Sequence, residues 1–113
     1  MQRNINPNQR TAIMDKREVI TKLKAYKSLL SNHFDIEKLI LFGSYANGNY
    51  RNDSDIDVAI IVKKIKGDYF TYTPLLWKLR REIDDRIEPL LFESGKDDSG
   101  FLSVILKDGI EIS

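Results

Sequence analysis

Cysteine is absent from the 113 residues, and with it go disulfides, thiolate metal sites and cysteine nucleophiles. Histidine occurs once, as His33, at the expected end of a helix where the dipole favours a positive charge; it is assigned no catalytic role. Neither sign of charge dominates, with 18 Lys and Arg against 17 Asp and Glu, so no overall field recruits nucleic acid or an anionic membrane. Any basic patch must be local. No stretch approaches the length of a membrane span. The opening MQRNINPNQRT lacks the apolar segment of a secretion signal, so the expected compartment is cytoplasmic.

What is present describes an ordinary globular chain, 42% apolar and 31% charged, of a length suited to one domain with a modest core. Residues 1–13, rich in Asn and Gln and containing Pro7, read as a polar arm, which leaves 14–113 as the domain. From Asp15 to about Asn32 the apolar residues Val19, Ile20, Leu23, Tyr26, Leu29 and Leu30 recur at helical spacing. Glu37–Phe42 (EKLILF) predicts a buried strand that stops at Gly43, and Ser44–Gly48 a brief helix. Asp55–Lys63 (DIDVAIIVK), dominated by β-branched residues, predicts a second strand. Gly67 and Asp68 mark a turn, after which Leu75, Leu76, Leu79 and Ile83 give a helix through about Asp85. Arg86–Phe92 (RIEPLLF) predicts a third strand, which Pro89 assigns to a sheet edge. Asp98 or Ser99 is expected to cap a last helix through Lys107, with Gly109 at its exit and an extended IEI beyond. The fold class is α/β, a small mixed sheet with helices packed on it.

Two carboxylates, Asp55 and Asp57, stand at the mouth of the second strand, although isolated carboxylates are costly beside buried segments. Strand alternation turns them to one face, about 7 Å apart along the chain, where they can converge on a divalent cation. Hard oxygen ligands of this kind suit Mg²⁺, which completes its shell with phosphate oxygens and water. Gly43 and Ser44 supply the complement: a residue without a β-carbon lets backbone N–H groups approach a phosphate. Taken singly, neither piece is specific, since Asp is common where a loop enters a strand. Their joint order, strand, Gly-Ser, ten residues, Asp-Ile-Asp, strand, is far more so.

That order resembles the signature of the polymerase β-type nucleotidyltransferase superfamily, and among its members the small minimal nucleotidyltransferases, which include antitoxins partnered with HEPN-domain toxins. The resemblance runs from about Lys16 to the end of the chain. It implies transfer of a nucleoside monophosphate from an NTP, with ATP the expected substrate, to an acceptor hydroxyl, using two Mg²⁺ ions. Asp55 and Asp57 would hold the metals and Gly43 and Ser44 the triphosphate. The third acid expected on the next strand falls to Glu88. Many members carry Arg where this chain has Asn47, so triphosphate binding would lean on Asn47 and Arg51. The alternative is a non-catalytic nucleotide-binding or antitoxin subunit that acts by binding its partner.

The remaining polar and aromatic residues have simpler readings. Asp53 lies in turn-forming sequence and fits loop capping. Tyr45 and Tyr50 are able to stack on a base, yet packing of the short helix accounts for them. Lys78, Arg80 and Arg81 read as a solvated helix face, and Trp77 as core or interface.

Overall fold

Parity along each strand decides which side of the sheet a residue faces, and that rule sets the layout of the whole molecule. The computed structural model describes residues 15–51, 53–65 and 69–113. The expected arm over 1–13 and the expected turn at Gly67 and Asp68 lie outside the described residues. The elements run α1 (Lys16–Leu30), β1 (Ile36–Phe42), α2 (Ser44–Asn47), β2 (Ile56–Val62), α3 (Tyr69–Arg80), β3 (Ile87–Glu93), α4 (Phe101–Asp108) and β4 (Ile110–Glu111). The sheet order is β3-β2-β1-β4, with β1 antiparallel to both β2 and β4, and β2 parallel to β3. The sheet is therefore mixed, as the sequence predicts, and Pro89 does lie on an edge strand.

One face carries the main core. Leu39, Leu41, Ile56, Val58, Ile60, Ile87 and Leu91 meet Val19, Leu23, Tyr26 and Leu30 of α1 and Leu76 and Leu79 of α3. Each fully buried aliphatic side chain of this kind contributes about 1.5–3 kcal/mol. Tyr26 is buried with them, and its hydroxyl donates to Leu76 O at 2.8 Å, which joins α1 to α3 and satisfies the phenol brought inside. The opposite face holds a smaller cluster of Ile40, Ala59 and Ile61, covered by Leu102 and Ile105 of α4. Asp57 shares the parity of Ala59 and Ile61, and so belongs to this second, thinly covered face.

Several ends differ from the sequence reading for local reasons. Asp15 caps α1 by accepting from Glu18 N at 2.9 Å. The helix α3 begins before Pro74 and ends at Arg80, short of the expected Asp85. Beyond it the chain tightens, with Glu82 N donating to Leu79 O at 3.1 Å and Ile83 N to Arg80 O at 2.9 Å. These are three-residue closures that terminate an α-helix. Gly100 holds the N-cap position of α4, and its first amides are capped from upstream: Ser99 Oγ accepts from Phe101 N at 3.2 Å, and the Asp97 carboxylate, rather than Asp98, accepts from Leu102 N at 2.8 Å and Ser103 N at 2.9 Å. Gly100, at φ 78°, turns the chain so that a residue outside the helix reaches its first amides.

Candidate active site

β1 delivers Phe42 and then Gly43, whose φ is 74°, a backbone state that favours glycine. The space a β-carbon would take there is already filled by Asp57 Oδ2. The four-residue α2 follows at once, Ala46 N and Asn47 N donating to Gly43 O at 3.1 and 3.2 Å. Its opening amides have no acceptor within the helix. So brief a helix brings little dipole, and its share in anion binding comes from those backbone N–H groups. Lys16 of α1 steadies the turn, its Nζ donating to Ala46 O at 3.3 Å. Gly48, at φ 87°, ends it.

Register completes the site. Asp57 pairs with Phe42 on one side and with Glu88 on the other, so Asp57 and Glu88 stand side by side on the second face of the sheet. Burial pushes the Asp57 carboxyl above the usual carboxylate range, and the negative charges of Asp55 and Glu88 push it further. Asp55 lies one residue before β2 and is exposed. Among the described residues no cation pairs with Asp55 or Asp57. A like-charged, partly desolvated carboxylate set fits a hard divalent cation. Among the described residues, however, no three such side chains stand close enough to hold an ion together.

Glu88 has a cationic neighbour of its own. Its carboxylate faces Arg80 Nη1 at 3.8 Å. Arg80 also donates to Ile87 O at 2.9 Å and to Asp85 O, and it stacks over Trp77 at 4.4 Å from the ring centroid. Arg80 is thus not part of a solvated face. It is folded back across the start of β3, which helical periodicity alone does not reveal. Asn47 and Arg51 are exposed; Asn47 Oδ1 accepts from Asn49 N at 3.1 Å, and Arg51 N donates to Ser54 Oγ at 2.7 Å. Both therefore sit on ordered turns between the glycine and the acids. Tyr45 is buried and stacks on Tyr50 with centroids 4.4 Å apart, so packing is their role.

Residues 24–113 match the family model described as polymerase beta, nucleotidyltransferase. The chain belongs to this nucleotidyltransferase family. It is similar to a Methanocaldococcus jannaschii protein named as a candidate protein adenylyltransferase, 42% identical over 50 residues, which span 42% of this chain and half of that protein. A second protein of the same organism and designation is 38% identical over 76 residues, 66% of this chain and 75% of that one. The protein adenylyltransferase MntA of Thermococcus cleftensis is 30% identical over 80 residues, 71% of this chain and 72% of that one. In fold, the chain resembles a nucleotidyltransferase-designated structure from Sulfolobus solfataricus, with TM-score 0.66, 22% identity and coverage of 90% and 86% of the two chains. It also resembles a chain of a toxin–antitoxin structure with AMP-PNP, with TM-score 0.58, 21% identity and coverage of 88% and 73%.

Proposed function

We propose that this chain transfers the nucleoside monophosphate of an NTP, ATP first, to a hydroxyl on a partner protein, and that the partner is a HEPN-type toxin which the modification silences. The observation that carries the reading is the apposition of Gly43 and Asp57: a glycine-only backbone turn lies directly against a carboxylate whose neighbours are also carboxylates. A turn that exposes amides to a phosphate has no structural need to face three acids. A site that handles a metal-bound polyphosphate needs both.

Asp55, Asp57 and, once it turns from Arg80, Glu88 would hold two Mg²⁺ ions, and Gly43 and Ser44 the triphosphate, with Asn47 and Arg51 on its flank. Bound there, the ions would neutralise phosphate charge and stabilise the entering and leaving oxygens. The chain's own part is to orient and to manage protons. Backbone amides at 43–45 fix the triphosphate. The strand register keeps Asp57 beside Glu88, and the Glu88 carboxylate takes the acceptor's proton as its oxygen bonds the α-phosphorus and pyrophosphate leaves. Relatives named protein adenylyltransferases, and the fold neighbour from a toxin–antitoxin pair, support ATP and a protein acceptor.

Incubation with labelled NTPs, Mg²⁺ and a co-encoded helical partner tests this: label should pass to the partner, from ATP in preference. The Arg80 contact on Glu88 and the uncharged Asn47 favour a second reading, a subunit that neutralises its partner by binding alone. Neutralisation without any transfer of label selects that reading and rejects the first.

A further inference from the structure

A cavity of about 180 Å³ opens beside Gly43, between α2 and α4. Gly43 and Asn47 border one end, Phe42 forms a wall, and Phe101, Val104 and Asp108 line the other side along α4. Its volume lies below the roughly 300 Å³ at which pockets begin to hold whole drug-sized ligands. It suits a single ring system.

Three features of α4 are poorly explained by folding alone. Phe101 is 43% exposed and Val104 54% exposed, although Leu102 and Ile105 of the same helix already bury its sheet-facing side. Phe101 stands perpendicular to Phe42, with ring centroids 5.8 Å apart, and 6.3 Å from the Phe92 ring, so its position is fixed while much of its surface remains exposed. Asp108 is the last residue of α4, where the dipole disfavours a carboxylate. Among the described residues no cation pairs with it. An aromatic face, an aliphatic neighbour and a destabilising acceptor therefore line one small pocket that begins at the glycine turn.

We infer that this pocket is the nucleobase subsite, taking a purine with an exocyclic amine. The inference rests on the function proposed above and adds the residues that choose the base. The ring stacks on Phe101 and against Val104, as bases do on exposed aromatic side chains. The Asp108 carboxylate, an acceptor only, takes a hydrogen bond from the amine. The triphosphate then runs from the pocket to Gly43, where the carboxylates lie.

Equilibrium binding of ATP, purine riboside triphosphate (the same ring without the amine) and inorganic tripolyphosphate, each with Mg²⁺, tests the assignment. Phe101→Ala should weaken ATP about tenfold or more and leave tripolyphosphate unchanged. Asp108→Ala, which removes the acceptor, should melt no lower than the wild type, yet shrink the preference for ATP over purine riboside triphosphate from roughly tenfold towards unity. Thermal melts of both variants confirm folding. Unchanged ATP affinity in Phe101→Ala, with tripolyphosphate still bound, overturns the subsite and leaves the phosphate site standing. A wild type that binds neither ATP nor tripolyphosphate overturns both.

Discussion

The carboxylate of Asp57 fills the volume that a β-carbon on residue 43 would need. Glycine is thus required twice over, by its φ of 74° and by its neighbour. Gly43→Ala should lower stability by roughly 1–3 kcal/mol and abolish ATP binding. The double variant Gly43→Ala with Asp57→Ala should regain part of the stability, a coupling of about 0.5–3 kcal/mol, and none of the binding. Denaturant titrations of the four proteins check this. Strict additivity would mean the two residues do not contact.

Asp57 should show an inverted pH dependence. Burial, then Asp55 and Glu88, raise its carboxyl, so ionisation opposes folding. The associated stability is complete below the ordinary Asp value of about 3.9 and is lost as pH rises through the raised folded value. Asp57→Asn removes that penalty. Its Tm at pH 7 should equal or exceed the wild type's without metal, while Mg²⁺–ATP affinity falls at least about a hundredfold. A clear drop in metal-free Tm would make Asp57 structural instead.

Asp84 behaves in the opposite sense. Its side chain is 8% exposed and bonds Lys22 Nζ at 2.9 Å and Arg86 Nη2 at 3.1 Å. Burial alone would raise its carboxyl, but the bonds from Arg86 and Lys22 override that and hold it well below the usual range. This stability is present above the unfolded Asp value of about 3.9 and is lost as pH falls towards the depressed folded value. Asp84→Ala removes the acceptor that Lys22 and Arg86 share and should cost about 1–3 kcal/mol at pH 7, with a smaller difference from wild type at pH 2. Melting curves at the two pH values decide it.

Asn47 offers a gain-of-function test. It is exposed at the end of α2, on the flank proposed for the triphosphate, where an added cation meets phosphate charge. Asn47→Arg should tighten ATP binding by about threefold to tenfold and make it more sensitive to salt, with Tm unchanged. Identical ATP affinity in the variant would remove this loop from the triphosphate site.

How far the sequence foretells this molecule follows from which forces act locally. The strands, their order along the chain and the face on which Asp57 stands are legible because parity and β-branching are local properties. So is the edge position of Pro89. The choice of Asp97 over Asp98 as cap is not, because it depends on the left-handed Gly100 carrying the chain back over its own helix start. The turn of Glu88 towards Arg80 is equally hidden. It arises because α3 stops at Arg80 and the chain then doubles back to begin β3, a closure that no spacing in the sequence records. The pocket of α4 was missed for a related reason: Phe101 and Asp108 come near Gly43 only after β1 has drawn Gly109 so close that any side chain on it would strike Ile40.

The start of β3 is closed to strand pairing along its outer margin. Ile56 N bonds Arg86 O, and Ser94 N bonds Val62 O, so the even-numbered residues of β3 face β2 and the odd-numbered ones look outward. Of these, Ile87 has its N–H on Asp84 O and its carbonyl on Arg80, while Pro89 has no N–H to give. The opposite margin is β4, two residues long. Over Ile87 and Pro89, the outer margin of β3 therefore gives an incoming strand no free backbone N–H to pair with.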